Sequence, residues 1–327
     1  MKKLIVSASP HVRSNESVTR IMLDVIIALV PSLIASVVIF GFRSLIITAV
    51  CVASCVLFEF LARKIMKRDT TIGDLSAIVT GMLLAFNLPV TIPLWMCVIG
   101  CFFAIVVVKQ FFGGIGQNFV NPAIGGRIVM LVSFSSNMTA WTSPMQWKNG
   151  VDAVSTATPL ASLKNFDGTI SSELPSMLEM FLGVRGGCLG EVSAVAILIG
   201  GIYLIARKVI KPVIPLCFVG TVAVIMLIAG KGSLEYMVYE ILSGGLLLGA
   251  FFMATDYATS PITTKGKIIF GIGCGVITSV IRLFANLPEG VSYSIILMNI
   301  LVPHIENITR PKPFGMVNEK KSKEEAV

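Results

Sequence analysis

A run of hydroxyl side chains beside an acid is the part of the sequence best suited to covalent chemistry. It reads Asp152-Ala153-Val154-Ser155-Thr156-Ala157-Thr158-Pro159. A Thr oxygen can form an ester with a phosphate, and small neighbours leave it accessible, while Asp152 can position a metal ion or the hydroxyl. The same residues also suit a polar loop in which hydroxyls bond the local backbone, and the spacing alone leaves both interpretations open.

A second stretch combines glycines, a proline and two amides. It reads Gly113-Gly114-Ile115-Gly116-Gln117-Asn118-Phe119-Val120-Asn121-Pro122-Ala123. Gly and Pro do not sustain a helix, so the freed backbone groups need protein or a ligand as partners. Asn118 and Asn121 offer amide donors and acceptors for the polar edge of a ring-shaped ligand. A packed re-entrant turn is the alternative.

Cysteine and histidine restrict the remaining chemistry. The seven cysteines are an odd number and lie in or beside apolar runs, so a complete set of intrachain disulfides is excluded. The pairs Cys51/Cys55 and Cys97/Cys101 each share a helix face, which suits either a metal or simple packing. Only two histidines are present, which excludes a multi-His metal site. We therefore predict no metal site and no catalytic side-chain set.

The elements that position these residues must be membrane helices. Of the 327 residues, 55% are apolar and 13% are charged, against about 25% charged in ordinary soluble domains. The mean hydropathy is +0.86. This composition excludes a soluble enzyme and a disordered chain, because no soluble core hides so much apolar surface.

The apolar runs predict an all-α integral membrane protein with ten transmembrane helices. The predicted spans are 22–41, 45–62, 73–88, 94–109, 122–135, 188–206, 212–230, 237–254, 268–285 and 290–306. Several are short or contain Gly, Pro or Asn, which is typical of broken or re-entrant segments.

The basic residues predict the orientation. Nineteen of the 26 Lys and Arg residues fall on one side of a ten-span path and six on the other, which places both termini in the cytoplasm. The segments 1–21 and 307–327 are then cytoplasmic, and the loop 136–186 lies outside. The net charge of +8 is thus a topology signal, and no nucleic-acid partner is predicted.

The loop separates two halves, 22–135 and 187–306, of five predicted spans each. An odd number of spans forces the halves into opposite orientations, as in inverted-repeat transporters. A shift of 173 residues aligns Lys109 with Arg282 and Phe111 with Phe284, in agreement with that arrangement.

Acidic residues inside apolar spans are costly in lipid and must face protein, water or a partner charge. Asp24, Glu59 and Glu240 lie deepest, and we interpret them as candidates for an ion or proton pathway. Helix-end capping or inter-subunit ion pairing is the alternative, favoured for acids near span ends. Those are Asp74, Asp256, Glu289 and Glu306.

The motif Asp-x-x-Ser-(Gly/Ser/Thr)-Ala-Thr resembles the covalent-FMN site of the D subunit of Rnf electron-transport complexes. It also resembles that of the related B subunit of the sodium-pumping NADH:quinone reductase. Thr156 stands where many members have Gly. The resemblance implies that the FMN phosphate is esterified to Thr158. The motif that a flavin transferase recognises outside the cytoplasm would comprise Asp152, Ser155, Thr156 and Ala157.

The resemblance covers nearly the whole chain. It includes the 113–123 stretch and the runs 190–194, 253–256, 260–261, 288–291 and 297–299. It implies a second, non-covalent flavin, riboflavin, near Asn118 and Asn121, towards the cytoplasmic face.

The resemblance implies a subunit that relays electrons in a ferredoxin:NAD oxidoreductase of the cytoplasmic (inner) membrane, coupled to export of sodium ions or protons. The implied partners are a soluble NAD-binding flavoprotein, an iron–sulfur subunit, a second covalent-FMN subunit and two small membrane subunits. The alternatives are a quinone-reductase subunit and a channel or transporter for a small polar solute, which the inverted halves would also suit.

Overall fold

The computed structural model describes residues 16–148, 158–163, 174–285 and 289–311. Within these ranges the regular structure is helical, with no β-strand, which confirms the all-α prediction. The motif residues Asp152, Ser155, Thr156 and Ala157 lie outside the described residues, whereas Thr158 lies within them.

The first half contains five main helices. They are α1 (Val18–Phe40), α2 (Phe42–Ile65), α3 (Ser76–Phe86), α4 (Leu94–Phe102) and α5 (Pro122–Ser133). A 3-10 turn, Ile72–Asp74, precedes α3, and α4 continues as a π-helical segment, Phe103–Gln110. Wider π turns are often found at functional sites.

Short helices connect the halves, and longer helices follow. The short ones are α6 (Ser135–Met138), a 3-10 turn (Gln146–Lys148), α7 (Pro159–Leu163) and α8 (Met177–Leu182). The second half comprises α9 (Ala194–Ala206), α10 (Val213–Ala229), α11 (Leu234–Leu242), α12 (Leu246–Leu248), α13 (Thr264–Phe284) and α14 (Val291–Thr309). After α12 the chain forms a second π-helical segment, Gly249–Met253.

Polar side chains start many of these helices. Ser17, Ser193, Ser233 and Thr263 each accept a hydrogen bond from a backbone N–H of the first turn. Such caps satisfy N–H groups that have no partner within the helix. Ser and Thr residues that flank apolar runs therefore indicate where these helices begin.

The helix surfaces have the polarity of a membrane protein. On α1, Leu23, Ile27 and Ile34 are exposed, whereas Ser32 and Ser36 on the other face are buried. On α1 these polar side chains thus face the bundle and these large apolar ones face outward, as is favourable for a helix beside lipid. The chain is a multi-pass membrane protein.

Helix length distinguishes two kinds of apolar element. Four helices, α1, α2, α13 and α14, are long and apolar enough to cross a membrane. The helix α11 and the 246–253 segment, bent by 65°, make a fifth candidate, and five further apolar helices have 10–17 residues. Each predicted span overlaps one of these ten elements, but ten complete crossings remain a prediction.

The packing order corresponds between the halves. In the first, α2 packs on α4 and α4 on α5; in the second, α10 packs on α13 and α13 on α14. The halves meet where α1 packs on α9 and α5 on α14. An inverted relation between the halves is compatible with this order and remains a prediction.

Candidate functional site

A cavity of about 340 Å³ opens at one end of the bundle. Its wall combines the start of α1, α3, the first π-helical segment, the glycine-rich stretch, the start of α5 and the 255–258 connection. Most lining surface is apolar. The polar or charged residues in the wall are Ser76, Thr80, Lys109, Asn118, Asn121, Thr255, Asp256 and Tyr257. This size and lining are typical of a small-molecule site.

Glycines allow the stretch after α4 to turn back toward the cavity. Gly113, Gly114 and Gly116 have φ angles of +124°, +104° and +82°, which L-residues rarely adopt. A Cβ at Gly113 would also overlap the Gln117 side chain, and one at Gly114 would overlap Arg63. The predicted interruption of the helix is therefore observed, between Gln110 and Pro122.

Asn121 has a structural position at the cavity wall. Its Oδ1 accepts from the backbone N–H groups of Ala123 and Ile124, which caps α5. Its Nδ2 donates to the Met253 carbonyl at 3.2 Å, across the interface between the halves. Asn121 thus lines the cavity while its polar atoms hold two elements together.

Asn118 lies beside Asp256, an acid that also lines the cavity. Its Nδ2 donates to Val120 O at 3.0 Å, and its side chain lies near the Asp256 carboxylate. Desolvation raises the pKa of Asp256, and hydrogen bonds from Ala258 N–H and Thr259, together with the nearby Asn118 amide, oppose the rise. This pair forms a polar corner of an otherwise apolar cavity.

Lys109 and Glu59 form a buried ion pair at the cavity, which we call the inner pair. Lys109 Nζ lies 2.8 Å from Glu59 Oε2 and 2.6 Å from Ser76 Oγ. Thr71 and Gln110 donate to Glu59 Oε1 at 2.7 and 3.0 Å. Such a pair needs this many hydrogen bonds, because removing two charges from water is costly.

Glu240 and Arg282 form a second buried pair, which we call the outer pair. Arg282 Nη1 donates to Glu240 Oε2 at 3.0 Å and to its carbonyl at 2.7 Å, and Nη2 donates to Ser243 O at 3.1 Å. Leu160 of α7 lies beside Gly244, next to Arg282. Thr158 is half-buried and directly precedes α7, the helix whose Leu160 lies near the outer pair.

The two pairs lie toward opposite ends of α13. This helix begins after the connection that lines the cavity and carries Arg282 in its last turn. Its 21 residues span about 30 Å at 1.5 Å each. The cavity and the outer pair are nevertheless not far apart, because Gly244 beside Arg282 and Phe252 in the cavity wall are eight residues apart, about 12 Å along a helix.

A polar cluster lies between the halves around Arg127. Arg127 donates to Asn87 Oδ1 at 2.5 Å and pairs with Glu289. Among the described residues, one set of three side chains is close enough together to hold a metal ion, with ligand atoms within 4.8 Å of one another. The set consists of Cys188, Glu191 and Glu289. The Arg127 guanidinium is in contact with two of the three, Cys188 and Glu289, and already supplies the positive charge there.

Each of the three acids predicted to lie deepest has a cationic partner. Glu59 and Glu240 belong to the inner and outer pairs, and Asp24 accepts from Arg207 at 3.2 Å and Tyr203 at 2.9 Å. Of the four acids predicted near span ends, Glu289 also pairs with a cation, Arg127, whereas the other three bond backbone N–H groups. These are Asp74 with Ser76, Asp256 with Ala258, and Glu306 with Ile262.

All seven cysteines are free thiols in the structure. Cys51 and Cys55 on α2 face Cys97 and Cys101 on α4, and Cys101 Sγ lies 3.4 Å from Cys51 O. The four side chains are fully buried. This environment suits neutral, packed thiols.

The sequence patterns identified the acids within apolar spans. They did not indicate that Arg127 and Asn87 lie together in a polar cluster. In the sequence, Lys109 and Arg282 are notable only because a shift of 173 residues aligns them. The sequence does not indicate their ion pairs, because the partners are 50 and 42 residues away. A basic residue within an apolar run is the signal that marks all three cations.

Comparison with known proteins agrees with this architecture. A model of the NQR2, RnfD, RnfE family matches residues 5–315. The chain belongs to the NQR2, RnfD, RnfE family. The resemblance expected from the motifs is thereby confirmed over nearly the whole chain.

Relatives within the NQR2, RnfD, RnfE family span the full length. The chain is 48% identical over 321 residues to the D subunit of the Na(+)-translocating ferredoxin:NAD(+) oxidoreductase complex of Acetobacterium woodii, covering 97% of each chain. It is 42% identical to the D subunit of the proton-translocating ferredoxin:NAD(+) oxidoreductase complex of Clostridium ljungdahlii, covering 95% of this chain and 96% of that one. The D subunit of the ion-translocating oxidoreductase complex of Stutzerimonas stutzeri is 37% identical, covering 92% of this chain and 93% of that one.

Proposed function

We propose that this protein is the D-type membrane subunit of an Rnf-type ferredoxin:NAD oxidoreductase, in which it relays electrons coupled to translocation of sodium ions or protons. Full-length similarity to three D subunits carries the proposal. Relatives with either ion in their names are comparably similar, so family membership does not select sodium or protons.

We further propose that Thr158 holds FMN through a phosphate ester. Thr158 supplies the hydroxyl, and the preceding Asp152, Ser155, Thr156 and Ala157 supply the transferase motif. Its nearness in the chain to α7 puts it on the side of the outer pair, away from the cavity. When bound, FMN would supply one- and two-electron redox chemistry, while the chain fixes its position and surroundings.

The cavity is proposed to hold a second flavin, riboflavin. An isoalloxazine ring has an apolar edge and a polar edge, which corresponds to a wall that is mostly apolar with a polar corner at Asn118 and Asp256. Lys109, the cation in the lining, is already paired with Glu59. A phosphate dianion would need more positive charge than this one paired cation supplies, which favours a flavin without a phosphate.

The partner subunits and the location follow from the same proposal. The protein would assemble with a NAD-binding flavoprotein, an iron–sulfur subunit, a second covalent-FMN subunit and two small membrane subunits. It would lie in the cytoplasmic membrane with both termini inside. Glu59, Asp24 and Glu240 remain candidates for the ion path, and each would have to leave its cationic partner to bind an ion.

The decisive experiment is detection of covalent flavin in the denatured full-length chain. Produced with the flavin transferase, the band is expected to fluoresce in a denaturing gel, and Thr158→Val is expected to be dark but still inserted in the membrane. Thr158→Ser is the matched variant, since it retains the nucleophilic oxygen. A fluorescent Thr158→Val band would show that the attachment residue is misassigned.

A channel or transporter role would give a dark wild-type band as well. A quinone-reductase role is distinguished by the electron acceptor of the purified complex. Reduction of NAD by ferredoxin supports the proposal, whereas reduction of quinone by NADH would contradict it.

A further inference from the structure

Lys109 is the one cation among the described residues that line the cavity. An ammonium group has three N–H donors. One donates to Glu59 Oε2 at 2.8 Å and a second to Ser76 Oγ at 2.6 Å. The described contacts therefore leave one donor of Lys109 for a molecule in the cavity.

Both acceptors of Lys109 are themselves held in place. Glu59 is fully buried, and its Oε1 accepts from Thr71 and Gln110. Ser76 Oγ donates to Asp74 Oδ1 at 2.5 Å. The ammonium is thus fixed before a ligand arrives, and a charge fixed in advance stabilises an added opposite charge without reorganisation cost.

Other titratable and charged groups approach Lys109 from each neighbouring element. They are Cys55, Glu59 and Arg63 of α2, Asp74 before α3, and Asp256 and Tyr257 after the second π-helical segment. Arg63 is directed to the carbonyls of Asp69 and Gly113, and is not part of the lining. Among the described lining residues, Lys109 is the one cation, and its free N–H donor is the group that can stabilise a negative charge added in the cavity.

We propose that Lys109 compensates the negative charge that reduction adds to the flavin in this cavity. This inference rests on the proposed function. Two electrons pass from the electron donor to the flavin and one proton comes from water. The negative charge that remains on the flavin is stabilised by the free N–H donor of the Lys109 ammonium, which keeps its own proton and its ion pair with Glu59. Without that cation two protons accompany two electrons, because an uncompensated anion is costly in an apolar cavity.

The test is the pH dependence of the midpoint potential of the non-covalent flavin. The full-length chain with Thr158→Val leaves that flavin as the only one, and dithionite with mediator dyes reduces it in an optical cell. One proton for two electrons gives a slope of about 30 mV per pH unit near neutrality, and two protons give about 60 mV. The smaller slope is expected.

The variant Lys109→Met/Glu59→Gln removes both charges, so no buried charge is left without a partner. It is expected to double the slope and lower the potential. Lys109→Arg keeps a cation and is expected to retain the smaller slope. The matched control is Arg282→Met/Glu240→Gln, which removes the same number of charges from residues outside the cavity lining and is expected to leave the slope unchanged.

A slope of about 60 mV per pH unit in the protein with Lys109 intact would overturn the inference, whatever the variants do. An unchanged slope in Lys109→Met/Glu59→Gln would overturn it as well. Either result leaves the cavity flavin in place. Absence of any non-covalent flavin from protein with native Lys109 would instead refute the proposed cavity flavin itself.

Discussion

At the scale of single residues, this protein places its charges in pairs. Asp24, Glu59 and Glu240 are recognisable in the sequence, since an acid in an apolar run is conspicuous. Their partners Arg207, Lys109 and Arg282 are not recognisable as partners, because each pairing is formed by contacts between helices distant in sequence. The candidate site could thus be predicted in its residue types but not in its connections.

Asn118 is expected to contribute to binding in the cavity rather than to covalent attachment. Asn118→Leu removes the amide that lies near Asp256, and with it the polar corner, so the non-covalent flavin content is expected to fall severalfold. Flavin released by acid precipitation measures it, and in-gel fluorescence measures the covalent flavin, which is expected to be unchanged. Equal loss of both would indicate misfolding instead.

The outer pair provides a test of buried-pair energetics. Arg282→Met alone leaves the buried Glu240 carboxylate without its partner, and Glu240→Gln alone leaves the buried Arg282 guanidinium without its counter-charge. Each is expected to destabilise the protein by up to about 3–5 kcal/mol. The double variant is expected to cost less than Arg282→Met alone. Thermal unfolding of the four proteins in detergent gives the coupling, and strict additivity would contradict the pairing.

At the scale of elements, hydropathy predicts where the helices are, but not how long they are. The predicted span 73–88 is an 11-residue helix, Ser76–Phe86, about 17 Å long, because Asp74 and the Asn87-Leu88-Pro89 turn end it. The two π-helical segments and the bend between α11 and α12 are likewise invisible to hydropathy. They depend on packing that a one-dimensional pattern does not contain.

The contact between α1 and α9 depends on a glycine. A Cβ at Gly200 would overlap the Ala28 carbonyl, whereas at Gly220 on α10 nothing lies within 4 Å. Gly200→Ala is therefore expected to destabilise the protein by about 1–3 kcal/mol through overpacking. Gly220→Ala is the control, expected to be neutral or stabilising by up to about 1 kcal/mol. Equal melting temperatures in detergent would show that the helices do not pack this closely.

At the scale of the whole molecule, the sequence predicts orientation through charge, and the structure adds the separation of sites. The cavity lies near the start of α1, and Arg282 lies at the other end of α13. Counting basic residues assigns the first of these ends to the cytoplasm. Which helices cross the bilayer completely depends on lipid contacts, which the count does not contain.

The orientation has a direct test in cells. Single cysteines introduced at Asn149 in the outer loop and at Ser322 in the tail, in a background with native cysteines replaced, are expected to react differently with a membrane-impermeant maleimide. Intact cells should label the first position only, and opened membranes both. Labelling of the tail in intact cells would reverse the predicted topology.

The pairing of buried charges also bears on how transmembrane voltage acts on this protein. A membrane potential exerts force on net charge, and a closed Lys109–Glu59 or Arg282–Glu240 pair has none. While both partners stay together, the electric field across the bilayer does little work on them. Voltage dependence of turnover is therefore expected only in steps where one partner moves without the other, and measuring turnover in vesicles under imposed diffusion potentials would locate those steps.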